Sequence, residues 1–279
     1  MKKYLYSFLL IAVTLFSCQD VVEVDLKTAQ ERLVIEAMIK WQKDTSGNEQ
    51  AIKLSKTSSF YSNQLVKATG AMVNVTNTNT NQVFDFVETE DGLYTTDSFI
   101  PELNAIYQLN INYNSEHYQA EETLFEAPEI TEITQSTEEG FSTEYPEVVV
   151  SFNDFQDQED FYRIHFSQYR PSEDEIIDKF DYTYDSRFES NNTLSDFYES
   201  DEEDTFQVGD QFIISIAKVS EQFYNFINVL QAQGEGGFGP FTTPPVNVKG
   251  NCVNITNADH YPYGYFGLNE VSVGDYVFE

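Results

Sequence analysis

What most limits the fold of this chain is its hydrophobic rhythm between residues 33 and 123. Apolar side chains there alternate with polar ones in short runs, and each run closes on a turn signal. Leu33-Val34-Ile35 opens a strand that reaches Trp41, Ile52 and Leu54 alternate with polar neighbours, and Met72, Val73 and Val75 mark another strand. An Asn/Thr cluster from Thr76 to Asn81 turns the chain into Val83, Phe84 and Phe86, and Asp91-Gly92 turns it again before Leu93-Tyr94. Ile106, Leu109 and Ile111 form a strand that meets Tyr118 across Asn114-Ser115. No helical period interrupts the series, and the 18 Tyr and 23 Phe favour β structure. The pattern predicts an immunoglobulin-like β-sandwich over residues 32–126.

Beyond it, Ala127-Pro128 and the polar run to Glu144 read as a linker, 127–144. A second β-rich domain is expected over 145–279, so the fold class is mainly β. It opens at Val148-Val149-Val150-Ser151-Phe152, and Tyr162, Ile164 and Phe166 share one face of a following strand. Asp174–Tyr184 and Phe188–Phe206 are acidic and aromatic and read as an insertion with weak hairpins; Phe212–Val219 is again a strand. One amphipathic helix is expected over 220–233. Ser220 suits its N-cap, Phe223, Phe226, Ile227 and Leu230 fall on one face, and Gly234 suits its end. Gly234–Pro245 should form a long ordered loop.

The N-terminus carries an address. Met1-Lys2-Lys3 is basic, and the apolar run Leu5–Phe16 is too short for a membrane span of about 20 residues. It fits a secretory signal peptide, 1–17. The run ends in Leu15-Phe16-Ser17-Cys18, which resembles a bacterial lipobox. That resemblance implies cleavage before Cys18, lipid on its sulfur and new amino group, and a tether over 18–31. Two or three acyl chains anchor such a protein durably. With Cys18 lipidated, Cys252 has no disulfide partner and reads as a small buried residue.

Charge narrows the partners. With 15 Lys+Arg against 47 Asp+Glu the net charge is −32, which excludes nucleic acid as a partner. Gly234-Glu235-Gly236-Gly237-Phe238-Gly239 satisfies a dinucleotide pattern in letters only, because a helix precedes it and Pro240 follows. His117, His165 and His260 have no metal-ligand spacing, and no nucleophile motif is present. Calcium is the one cofactor the residues raise, at the acidic run holding Asp154, Asp157, Glu159 and Asp160, with a second acidic run at 199–204. Phe180, Tyr182, Tyr184, Phe188, Phe197 and Tyr198 are candidate contacts for a protein or sugar, their plainer reading being the core of the second domain. Phe238 and Phe241 in the Gly/Pro-rich loop are a second candidate contact region.

Several segments together resemble a known family. They are the lipobox, Leu33-Val34-Ile35-Glu36-Ala37, Gly70-Ala71-Met72-Val73-Asn74-Val75, Asp91-Gly92-Leu93-Tyr94 and Tyr107-Gln108-Leu109-Asn110-Ile111. The C-terminal half adds Ser220-Glu221-Gln222-Phe223-Tyr224, Pro244-Pro245 before Gly250-Asn251, and Gly264-Tyr265-Phe266-Gly267. In order and spacing these are similar to the lipoproteins of domain-of-unknown-function family 4249 (DUF4249) of the Bacteroidota. Cys252 departs from the aliphatic residue expected after Gly-Asn, and Asn114-Ser115 from a Gly-containing turn. The resemblance implies an outer-membrane lipoprotein without catalytic residues, serving a TonB-dependent receptor as an accessory or substrate-capturing partner. Display at the cell surface is expected over the periplasmic face. The rival expectations are an autonomous adhesin or carbohydrate-binding protein using the 180–198 aromatics, and a hydrolase whose acids the sequence does not single out.

Overall fold

The computed structural model describes residues 30–58, 65–140, 142–155, 159–188, 192–234 and 246–279. Strands follow the period-2 pattern closely. In β1 (Leu33–Gln42) the buried side chains are Leu33, Ile35, Ala37 and Ile39, with polar or partly exposed residues between them. β2 (Gln50–Lys56), the short β3 (Val66–Lys67), β4 (Met72–Asn77), β5 (Gln82–Glu90), β6 (Leu93–Thr96), β7 (Ile106–Tyr113) and β8 (Glu116–Thr123) complete the N-terminal series. Then come β9 (Ile130–Ser136), β10 (Glu147–Asn153), β11 (Phe161–Arg170), β12 (Glu175–Asp185), β13 (Thr193–Glu199) and β14 (Gln211–Val219). After helix α1 (Glu221–Gly234), β15 (Val253–Asn254) and the long β16 (Tyr263–Val277) close the chain.

Thirteen strands belong to one sheet, ordered β12-β11-β14-β16-β1-β2-β6-β5-β4-β7-β8-β15 with β3 beside β2; β13-β10-β9 form a second. The large sheet folds over itself at β5. A first core thereby forms from Ile35, Ile39, Ile52, Val75, Tyr94, Tyr107, Leu109 and their neighbours. The three-stranded sheet covers the other wing and closes a second core around Val150, Phe152, Tyr162, Phe166, Phe212 and Ile214. Each fully buried aliphatic or aromatic side chain contributes about 1.5–3 kcal/mol, so both cores are substantial.

β16 joins the two cores. Its first part, Tyr263 to Val271, runs parallel to β1 from Val34 to Gln42, and its last part, Ser272 to Val277, pairs antiparallel with β14. At about 3.3 Å per residue it spans roughly 50 Å. One end of the molecule is thus the start of β1, and the other is the end of β16 beside Gln211. Gly264 is needed where the strands first meet: its φ is +93°, and a Cβ there would lie 2.0 Å from the Ile35 carbonyl oxygen.

The architecture is mainly β with one α-helix among the described residues, as expected. The segmentation differs from expectation. Ile130–Ser136, inside the expected linker, is a strand paired along β10. Its polar sequence hid it, because as an edge strand it buries little. The first core also takes Cys252, Phe266 and Leu268 from the far C-terminus, so the N-terminal sandwich is not complete at residue 126. The acidic segment read as an insertion holds β12, on the large sheet, and β13, on the small one. Helix α1 begins as expected, with Ser220 Oγ accepting from the Phe223 N–H at 3.2 Å. Phe223, Phe226 and Ile227 pack toward Phe161, Val219 and Tyr265, whereas Leu230 is exposed.

Candidate functional site

The end of the first sandwich where β1 starts is held by a set of polar contacts. The Arg32 N–H donates to Thr57 Oγ1 at 3.0 Å, and the Thr57 N–H donates to the Arg32 carbonyl at 2.9 Å. The Arg32 guanidinium donates to the carbonyls of Asp259 (3.0 Å) and Tyr261 (2.9 Å) and stacks 3.9 Å from the Tyr261 ring centroid. Lys249 Nζ lies 3.7 Å from the same centroid. Lys56 Nζ reaches Glu31 Oε1 at 2.8 Å.

His260 ties this root to the β7–β8 hairpin. Its Nε2 is 2.7 Å from the Glu31 carbonyl oxygen, and its Nδ1 is 2.8 Å from Glu116 Oε2. Both ring nitrogens face acceptors, which favours the doubly protonated ring. The Glu31 carbonyl, and then the Glu116 carboxylate, raise the imidazole above its ordinary range against the opposing effect of burial. For Glu116, partial burial raises the carboxyl, but hydrogen bonds from Tyr118 and His260 outweigh it and leave the group below the usual range.

The hairpin tip forms one wall of a cleft of about 470 Å³, lined by Gly70, Met72, Asn112, Tyr113, Asn114, Ser115, Glu116 and His117. Asn114 and Ser115 both have positive φ, 49° and 64°, the backbone of a two-residue hairpin turn of the primed kind. Met72 is 68% exposed on the cleft, an unusual position for a thioether. Beside it the outward face of β4, β7 and β8 carries a row of amides. Gln119 Nε2 donates to Asn110 Oδ1 at 2.8 Å, Asn110 Nδ2 donates to Asn74 Oδ1 at 3.3 Å, and His117 Nε2 lies 3.4 Å from Asn110 Oδ1. An open cleft with a soft apolar floor, a phenol and fixed amides is suited to recognition of a surface. Because Glu116 both lines the cleft and receives His260, cleft and chain root are one mechanical unit.

The residues singled out from the sequence fall elsewhere. Tyr182, Tyr184 and Tyr198 pack against the second core, with Tyr198 lying 6.0 Å from Phe166 and 5.5 Å from Phe206. They wall the second core while staying partly exposed, because alternation along β12 and β13 turns these rings toward it. Phe197 is half-buried on β13, Phe180 pairs with Phe166 in the β11–β12 ladder, and Phe188 ends a short 3-10 turn. Phe238, Phe241, Cys18 and Asp157 lie outside the described residues.

Two of the acids proposed for calcium, Asp154 and Asp160, have protein partners. Asp160 is buried and its carboxylate is 2.5 Å from Lys218 Nζ, Asp154 accepts from the Tyr162 hydroxyl, and Glu159 is exposed. No group of three or more His, Cys, Asp or Glu side chains suited to a metal ion occurs among the described residues. Cys252 is buried in the first core, and burial pushes its thiol up to about 12. Sequence reasoning missed Met72, Glu116 and His260 as a unit. The Asn114-Ser115 turn was the available signal for the hairpin tip, while nothing local marks His260, whose partners are 144 and 229 residues away.

No helix of the described residues is long and apolar enough to cross a membrane. No curated protein matches this sequence. Among solved structures, the FN1–FN3 domains of chicken CNTN1 are similar at 11% identity and a TM-score of 0.25, covering 67% of this chain and 60% of that one. A DUF4785 family protein of Legionella pneumophila follows at 9% identity and 0.26, covering 69% and 53%, and bovine butyrophilin at 10% and 0.22, covering 69% and 93%. The chain thus spans less than two thirds of the first two. The family model of a domain of unknown function, DUF4249, matches residues 19–273, most of the chain, and the chain belongs to that family.

Proposed function

We propose that this protein is a lipid-tethered outer-membrane protein that serves a TonB-dependent receptor as an accessory or substrate-capturing subunit, contributing binding surface and no covalent chemistry. Lipid at Cys18 anchors it, and the tether delivers it to the cell surface. The observation that carries the reading is the junction of root and cleft. His260 links Glu31, where the body begins, to Glu116, which lines the cleft. The thirteen Cα-to-Cα steps from Cys18 to Glu31 reach at most about 45 Å. A partner embedded in the same membrane is therefore within reach of the Met72 cleft. The rival adhesin reading drew on the six aromatics between 180 and 198, and three of them, Tyr182, Tyr184 and Tyr198, pack partly buried against the second core, which favours the receptor reading over it.

The test is fractionation followed by mild-detergent pull-down of the tagged protein from its own cells. Wild type should sediment with the outer membrane and bring down a near-stoichiometric receptor, and Cys18→Ala should release the protein in soluble form. A clean preparation without such a partner overturns the receptor role and moves the weight to an autonomous binding protein.

A further inference from the structure

The end of the molecule away from the chain root holds a carboxylate pair that ion pairing leaves untouched. Glu147 opens β10 and stands directly opposite Glu199, the last residue of β13. Like charges facing each other across a ladder destabilise it, and a carboxylate removed from water needs a counter-charge. Glu147 is 0% exposed. Its Oε2 accepts from the Glu139 N–H at 3.1 Å, and Glu199 Oε1 accepts from the Ser142 N–H at 2.9 Å. Glu147 Oε1 accepts no hydrogen bond from the described residues. Neither carboxylate forms an ion pair with a Lys, Arg or His among them.

The two side chains converge. A Cβ on Gly140 would lie 2.5 Å from Glu199 Oε1 and 2.9 Å from Glu147 Oε1, so both oxygens point to one place under the loop. That loop adds the exposed Glu138, Glu139 and Glu144, which deepen the negative potential. The contrast with the rest of this sandwich is sharp, since buried Asp160 and Asp210 each have a cationic partner.

We propose that Glu147 and Glu199 together hold a hard divalent cation of the calcium class beneath the loop that joins β9 to β10. Two carboxylates match the charge of such an ion, the donors are all oxygen, and calcium accepts an irregular set of six to eight oxygens that water can complete. The ion supplies the counter-charge that Glu147 lacks and pins the loop to the ends of β10 and β13.

The experiment uses the full chain in detergent, stripped with a chelator and titrated with calcium chloride by calorimetry and thermal melting. Wild type should bind calcium saturably, with a Kd on the order of 10⁻³ M or tighter, and should melt higher with the ion. Glu147→Gln and Glu199→Gln should each weaken binding by about tenfold or more, while Glu202→Gln, exposed at the same end, should leave it unchanged. Glu199 is only partly buried, so its variant carries the test if Glu147→Gln does not fold. Absence of saturable binding overturns the site, as does binding undiminished in both variants, which would place calcium on the acidic surface at large. A calcium-insensitive melting temperature together with a more stable Glu147→Gln would also overturn it.

Discussion

The two sandwiches share one strand and similar core chemistry, yet they satisfy their polar groups in different ways. In the first, ion pairs are confined to the root, where Lys56 meets Glu31 and His260 meets Glu116, and the polar groups deeper in the sandwich are neutral side chains that bind backbone. The Tyr94 hydroxyl donates to the Ala68 carbonyl, the Tyr107 hydroxyl to the Ile100 carbonyl, and the Gln50 amide to the carbonyls of Lys40 and Gly47. In the second, charge meets charge: Arg163 with Asp181, Arg170 with Asp204 and Asp210, Lys179 with Asp204, Arg187 with Asp185, and Lys218 with Asp160. The neutral scheme contributes about 1 kcal/mol per bond and fails gently. The charged scheme adds little while intact but fails hard, because losing one partner strands the other in a poor solvent for ions. A strongly acidic chain can therefore fold its most acidic half around cations, and the sites where it lacks one become conspicuous.

The largest effect should come from stranding a buried charge. Arg170→Met leaves Asp210, which is 1% exposed, without its cation and should cost about 3–5 kcal/mol in chemical denaturation. Tyr107→Phe, a matched deletion in the first sandwich, should cost only about 0.5–1.5 kcal/mol. Equal losses would break the comparison.

The pH response sharpens it. The folded state raises His260 above its unfolded value near 6.5, so its contribution is complete below that pH and fades as pH rises through the elevated folded value. A rising-pH loss that His260→Gln removes, followed by melting temperature, locates the alkaline sensitivity in the first sandwich. Asp204 and Asp185 go the other way. Lys179 lowers Asp204 and Arg187 lowers Asp185, so their stabilisation is present above an unfolded value near 3.9 and is lost as pH falls through the lowered folded values. Acid should therefore weigh on the second sandwich through these pairs, and on the root of the first only through Glu116 and Glu88, which are likewise lowered.

Smaller effects test the joints. Ser220→Ala removes the helix cap and a donor to Glu122, and should cost about 1 kcal/mol without disturbing the sheets, read by denaturation and circular dichroism. Ser115→Gly relieves a left-handed serine at the hairpin tip and should stabilise by about 0.5–1 kcal/mol while keeping the fold. A destabilising result there would mean that the Ser115 side chain supports the cleft.

The legible part of the fold was local. Alternation revealed β1, β2, β4, β5, β7 and β8, and capping residues revealed α1, because those signals act over a few residues. β16 was hidden although it is the longest strand: Gly264, Gly267 and Gly274 interrupt its pattern, and the large sheet determines which face each residue buries. The aromatics of β12 and β13 were visible as a cluster, but their inward direction depends on a partner sheet that local pattern does not reveal. The cleft was less legible still, since Met72, the hairpin tip and His260 meet only through long-range pairing of β4, β7 and the segment before β16.

The central claim is that the root end of the first sandwich faces a membrane-embedded partner. The most direct measurement places a photo-crosslinking residue at Met72, in the cleft, and separately at Val208, 82% exposed near the opposite end, in the full-length protein within its own cells. The account predicts a strong adduct with one outer-membrane receptor from position 72 and none from position 208. An adduct confined to position 208, or no receptor adduct at position 72, would contradict it.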